Sequence, residues 1–298
     1  MEPSESECDF NIVKRFLLES DDQQKVTATL RALNSLHVQS IQHGQKMLNE
    51  VYFPLDLLST GEQGLPVLNS LMRFKQSIMR CQAFELLNSI SASRLGKKYL
   101  LQSQDLVKIL IQALSEVDPE SAAVTKATSQ SDQNEHRVLL QTLFRLSGSK
   151  QSHAHLTETP DLTRWLLRFL DAVPAPPNQY TKLAIENATG LLQNISLKTQ
   201  GVEKIVHNPK NPFLIMEQLL TRTSVNADKE TDTLNLMAFT YVFSILYQLV
   251  SRKMGRNLAV LANFQTYMTT RITALVQQYD QGLAEQVDQA MLIQMESV

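Results

Sequence analysis

The chain has 298 residues, 43% of them hydrophobic, and a formal net charge of −2. That length and apolar content allow a large buried interior. The near-neutral balance supplies no global basic field, which excludes wholesale binding to nucleic acid or an anionic membrane through net charge. The two cysteines, Cys8 and Cys81, stand far apart in sequence, so neither a disulfide framework nor a zinc-ligand spacing is present and a reducing compartment is expected.

Met1 to Asp9 is acidic and polar, the reverse of a signal or transit peptide, and is expected to be a disordered lead-in. From Phe10 to Val38, Phe16, Leu17, Val26, Leu30, Leu33 and Leu36 form a helical stripe, broken at Ser20, Asp21 and Asp22, which suit an N-cap. Helices are predicted near Ile41 to Val51, after Pro54, and from Pro66 through Ser91, with Gly61 and Gly64 marking the loop before Pro66. Leu100 to Leu114 is predicted as the next helix. Asp118 to Asn134 is polar and contains Pro119; it reads as an insertion loop, with the helical pattern resuming at Val138.

Asp161 to Asp171 is predicted as a short amphipathic helix after Pro160, and Pro174 to Pro177 as a connection that cannot be helical. Leu183 to Leu197 and Lys210 to Leu220 are predicted helices, followed by a second polar loop near 221–231. The apolar run from Leu236 to Val250 contains Tyr, Ser and Gln and is shorter than the ~20 residues of a membrane span, so it reads as a buried helix. Gln265 to Glu296 is amphipathic and Gln-rich, as in a capping helix pair.

The long helices share an ending. Leu87, Ile90, Ser91 and Leu100 map at a constant offset onto Leu143, Leu146, Ser147 and Leu156, and again onto Leu192, Ile195, Ser196 and Ile205. Leu246, Leu249 and Val250 form a weaker fourth copy. The pattern Leu-x-Asn-Ile-Ser at 192–196 is that of an armadillo inner helix, although a period of roughly 50 residues exceeds the roughly 40–47 usual for such units. An all-α, armadillo-like helical repeat solenoid is therefore expected over residues 10–296, as one elongated body with insertions near 118–134 and 221–231.

Arg94-Leu-Gly-Lys-Lys-Tyr-Leu-Leu-Gln102, Leu106-Val-Lys-Ile-Leu110, the stretch from Tyr180 to Leu197 and the helix break at Leu17-Leu-Glu-Ser-Asp21 carry a further likeness. Over roughly residues 10 to 290 the chain resembles the armadillo module of the LisH-domain armadillo-repeat proteins of cilia and basal bodies, the armadillo repeat-containing protein nine family. The LisH dimerisation module and coiled coil of that family have no counterpart before Phe10, so self-association is not carried over. The resemblance implies a non-enzymatic scaffold at a cilium, basal body or other microtubule-associated assembly, in the cytoplasm, with tubulin or microtubule-associated proteins as partners.

No phosphate-loop, nucleophile-elbow or HExxH motif occurs among only nine glycines, so no enzyme activity, cofactor or metal is expected. His153 and His155 would project about 200° apart on a helix, and His37, His43, His136 and His207 read as bland surface or loop residues. Asn187-Ala-Thr and Asn194-Ile-Ser match the glycosylation pattern but lie within a predicted packed helix. Ser89, Arg145 and Gln248 occupy the positions corresponding to Asn194, and there is one tryptophan, Trp165, which disfavours the Asn/Trp peptide ladder of import adaptors. A peptide- or cargo-binding groove with another code remains the alternative to the scaffold.

The candidate site is a basic edge. Arg94, Lys97, Lys98, Lys150, Lys198, Lys204, Arg252, Lys253 and Arg256 follow the inner helices in what read as loops, and stacked repeats would align them against an acidic partner surface such as a tubulin tail. The competing reading is that these cations only offset helix C-terminal dipoles, at ~0.3–1 kcal/mol each.

Overall fold

A computed structural model describes residues 9–39, 41–74, 77–103, 105–123, 130–173, 179–222 and 233–278. The lead-in up to residue 8, the connection 174–178, most of the expected loop near 221–231 and the tail beyond 278 lie outside the described residues. Among those described every regular element is helical. The chain divides into two compact units, Met1–Leu114 with Thr128–His155 and Ser115–Ala127 with Leu156–Val298.

In the first unit α1 (Phe10–Glu19) is capped by the Asp9 carboxylate, which accepts from Asn11 N, and α2 (Gln23–Val38) by Asp22, which accepts from Lys25 N. These side chains satisfy orphan N–H groups of the first turn. Leu17, Val26, Leu30 and Leu33 are buried as the stripe predicts, but Leu36 is exposed and His37 takes the inward position beside it. Then follow α3 (Ile41–Met47), a π-helical turn (Leu48–Tyr52) and α4 (Phe53–Leu55). Pro54 thus sits inside the last short helix, at a first-turn position where its missing N–H is not needed.

The predicted helix from Pro66 through Ser91 is two, α5 (Pro66–Met72) and α6 (Ser77–Ser91); likewise Leu100 ends α7 (Arg94–Leu100), and α8 runs Asp105–Ser115. Before α5, the chain turns with Asp56, Ser59 and Leu65 at φ 44°, 54° and 47°. The Asp56 carboxylate holds this loop by accepting from Thr60 N (2.8 Å), Gly61 N (2.9 Å) and the Tyr99 hydroxyl (3.1 Å), while Leu58 N donates to Tyr99 Oη (2.9 Å). His37, Tyr52 and Tyr99 form a buried aromatic chain, with ring centroids 5.7 and 5.6 Å apart in succession.

The segment 118–134 is not the continuous loop its composition suggests. Pro119–Ala123 is a helix, α9, belonging to the second unit, and α10 spans Gln130–Ser147, starting well before Val138. The reason is polar packing that hydrophobic periodicity does not register. Glu135 is buried yet paired with Arg80 of α6 at 2.9 Å, and Asn134 Nδ2 donates to Glu85 at 3.0 Å. The last crossing from the first unit to the second falls within α11 (Lys150–Glu158).

The second unit contains α12 (Pro160–Ala172), α13 (Gln179–Ser196), α14 (Thr199–Val206), α15 (Pro212–Arg222), α16 (Thr233–Val250), α17 (Lys253–Leu261) and α18 (Phe264–Gln278). Helix α9 docks on α12, where the Trp165 indole N–H donates to Val117 O at 2.8 Å and its ring stacks on Phe169 at 5.4 Å. Arg168 reaches back to Glu120 at 3.0 Å. Helices α13 and α16 pack along their length, burying Leu192, Ile195, Leu246 and Leu249; Leu87, Ile90, Leu143 and Leu146 are buried in the first unit, where α6 packs on α10.

The shared helix ending is a shared turn. Ser93, Ser149, Lys198 and Arg252 each donate their backbone N–H to the carbonyl three residues back, at Ile90, Leu146, Ile195 and Leu249. The next helix then crosses so tightly that a Cβ on Gly96, Gly201 or Gly255 would lie 1.8, 2.0 and 2.0 Å from Ile90 O, Ile195 O and Leu249 O. In the second copy Ser152 occupies the equivalent place, and its hydroxyl donates to Leu146 O at 2.7 Å. Ser91, Ser147 and Ser196, all buried, donate their hydroxyls to the carbonyls of Asn88, Phe144 and Gln193. Val250 replaces this serine in the fourth copy while the glycine persists.

Candidate interaction surface

Most of the nine expected edge residues are helical rather than in loops. Arg94, Lys97 and Lys98 lie in α7, Lys150 in α11, Lys204 in α14, and Lys253 and Arg256 in α17; Lys198 and Arg252 are the residues preceding α14 and α17. The helix restarts this early because the turn is only two residues long in each copy. A cation at a helix start is unfavourable to that helix's dipole, but it stands beside the carbonyl end of the preceding one, where it is favourable.

Several side chains use that proximity. Arg252 donates to Gln248 O at 2.9 Å, and Arg256 donates to Val250 O and Ser251 O, both at 3.1 Å, so the two guanidiniums cap α16. Lys204 donates to Thr157 O at the end of α11. Lys97 Nζ lies 4.0 Å from where a Cβ on Gly148 would stand, beside the α10–α11 turn. Arg94, Lys98, Lys150, Lys198 and Lys253 are exposed, and none of the nine forms an ion pair with a described residue. Arg94, Lys97, Lys98 and Lys150 thus belong to the first unit and Lys198, Lys204, Arg252, Lys253 and Arg256 to the second.

A second polar surface was not anticipated from sequence. Along α2, α6 and α10, Ser89 Oγ donates to Asn34 Oδ1 (2.7 Å), Asn88 Nδ2 to Gln141 Oε1 (2.9 Å) and Arg145 to Asn88 O (2.7 Å). Arg137 donates to Asn134 Oδ1 at 2.7 Å. Burial pushes the Cys81 thiol up to about 12, reinforced by the nearby Glu85 carboxylate, which leaves it protonated and unreactive. On the second unit Gln193 Nε2 donates to Ser244 Oγ at 3.2 Å. There, burial raises the Glu186 carboxyl, and Tyr241 is raised by burial and then by Glu186. The only sequence signal for this surface was the alignment of Ser89, Arg145 and Gln248 with Asn194.

His37 is not a bland surface residue: it is 7% exposed and its pKa is lowered by burial. His153 Nε2 meets Ser147 O at 2.8 Å, consistent with a structural role. A surface recess of about 450 Å³ is lined by Thr157, Glu158, Gln200, Glu203, Lys204 and His207. Two of its lining side chains are engaged by backbone, Lys204 at Thr157 O and the His207 ring at Glu203 O. Among the described residues no cluster of three or more His, Cys, Asp or Glu side chains has a metal-holding arrangement, and no helix is long and apolar enough to cross a membrane. No protein-family model, no curated protein and no solved structure matches the chain.

Proposed function

We propose that the chain is a non-enzymatic protein-interaction scaffold of armadillo-like helical repeats that offers basic clusters to an acidic partner surface. The supporting observation is that Arg94, Lys98, Lys150, Lys198 and Lys253 recur after successive long helices, are exposed, and form no ion pair with a described residue. Lys204, Arg252 and Arg256 contribute first as carbonyl caps. The setting, a ciliary, basal-body or other microtubule-associated assembly with tubulin or its associated proteins as partners, is proposed on the family resemblance alone.

The test is charge reversal of Arg94, Lys98 and Lys150 in one variant and of Lys198 and Lys253 in another. Co-sedimentation is measured with microtubules that carry or lack their acidic tails, across a salt titration. Binding should weaken with reversal, with tail removal and with rising salt, because exposed charges are screened beyond ~8–10 Å at physiological ionic strength. Unchanged association at unchanged helical content would refute the basic clusters as the contact. A peptide- or cargo-binding adaptor is the second reading, favoured by the hydrogen-bonded amide and hydroxyl row on α2, α6 and α10; a linear peptide competing for the partner would select it.

A further inference from the structure

We propose that the face of α10 carrying Arg137, Gln141 and Arg145, with its α6 neighbours, is a docking surface for an extended acidic peptide of a partner protein, anchored by a carboxylate on Arg145. The inference rests on the scaffold reading but on a different surface from the basic clusters.

Arg145 is half-buried, and burial holds its guanidinium below the ordinary value, with no carboxylate contributing. It makes one bond, to Asn88 O at 2.7 Å, although a guanidinium carries five N–H donors in a fork that fits a carboxylate. Asn88 O is also taken by the Ser91 hydroxyl at 2.7 Å, so capping the end of α6 does not depend on Arg145. Elsewhere in this unit partly buried cations meet carboxylates, Arg80 at Glu135 (2.9 Å) and Lys14 at Glu62 (2.6 Å). Partial desolvation of a charge without a counterion is unfavourable, and an incoming carboxylate relieves it.

The second cation on this stripe is Arg137, whose hydrogen-bond partner is the neutral Asn134 Oδ1. Two helical turns, about 12 Å, separate positions 137 and 145. In an extended chain rising about 3.3 Å per residue, same-side residues at i and i+4 are about 13 Å apart. The arrangement therefore suits a Glu-x-x-x-Glu spacing. Gln141 lies midway with its amide in the same row, its Oε1 accepting from Asn88 Nδ2.

The test uses the full chain and fluorescein-labelled twelve-residue peptides in fluorescence anisotropy, with Glu at i and i+4, the Gln counterpart, and Glu at i and i+2. The i, i+4 Glu peptide should bind most tightly. Arg145→Gln should weaken it about tenfold or more and Arg137→Gln by less, with the far-ultraviolet dichroism and melting temperature unchanged. Reversing Arg94, Lys98 and Lys150 should leave this binding within about twofold, so the two surfaces can fail independently. Equal binding of the Gln peptide, no measurable binding of any peptide, or full binding by a folded Arg145→Gln variant would overturn the proposal. Tighter binding of a single-stranded oligonucleotide than of the Glu peptide would also overturn it, by assigning the face to phosphate polymers.

Discussion

Replacing Gly201 by Ala tests the recurring turn, because two physical effects predict opposite signs. Gly201 lies inside α14 at a negative φ, where Ala normally stabilises a helix by about 0.8–1 kcal/mol through propensity and unfolded-state entropy. The added Cβ, however, would stand 2.0 Å from Ile195 O, 2.7 Å from Ile195 C and 2.9 Å from Ile195 Cγ2. Two of these atoms are backbone, so no rotamer change relieves the overlap and α14 must move off the end of α13. Overpacking of this kind costs about 1–3 kcal/mol, and because backbone must shift the upper end applies, which the propensity gain only partly offsets. A net loss of about 1–2 kcal/mol is expected in urea denaturation followed by far-ultraviolet dichroism. Gly148→Ala is the control: its nearest obstacle is Arg145 O at 3.7 Å, and it should be neutral or slightly stabilising. If Gly201→Ala is as stable as the parent protein, the crossing is looser than described and the glycine has no steric role.

Leu192→Ala, at a site with no exposure, should cost about 2–5 kcal/mol by the same measurement. Trp165→Phe keeps an aromatic ring, smaller than the indole, and deletes the N–H to Val117 O; the lost hydrogen bond alone should cost about 0.5–1.5 kcal/mol, with faster hydrogen exchange in α9 than in α13. Glu135→Ala takes the carboxylate from Arg80, which keeps its bond to Phe74 O, and since that guanidinium is 27% exposed the loss should fall below the 3–5 kcal/mol seen for buried pairs, at about 2–3 kcal/mol, with Arg80→Met in the same chain recovering part of it. His37 is held below its ordinary pKa of 6.5 by burial, so the unfolded state binds the proton more readily. The stability it contributes is present above about pH 6.5 and is lost as pH falls toward the folded value; the melting temperature should drop more between pH 7 and 5.5 for the parent than for His37→Phe.

The helices legible in the sequence were those with an apolar stripe: Leu87 to Ser91, Leu143 to Ser147 and Leu192 to Ser196 end where the shared pattern places them. What hydrophobicity did not reveal is packing made by polar groups. The start of α10 is polar because Glu135 and Asn134 meet Arg80 and Glu85 instead of apolar partners. Helix α9 depends on one indole bond and one arginine from α12. The return of the chain to the second unit at Leu156 has no marker in composition, since it falls inside α11, a continuous helix. A further signal in the sequence is the small residue six places after the last buried apolar position of the long helix: Gly96, Ser152, Gly201 and Gly255. It fixes the fourth copy more securely than the serine, which Val250 replaces.

That turn also explains why cations gather where they do. A glycine crossing brings the start of one helix within contact of the previous helix's terminal carbonyls, at Ile90, Ile195 and Leu249. Any cation in the first turn of the second helix can therefore serve the C-terminal dipole of the first. Arg252 and Arg256 do so through hydrogen bonds, and for them the electrostatic benefit is local. Lys198, which stands three places after Ile195 as Arg252 stands three places after Leu249, is instead exposed. A position used for capping in one copy and left exposed in another is not explained by the dipole alone. The exposed subset, rather than all nine cations, is therefore where charge reversal should separate a contact surface from a helix cap. Arg252→Ala should lower stability and spare binding, whereas Lys150→Glu should do the reverse.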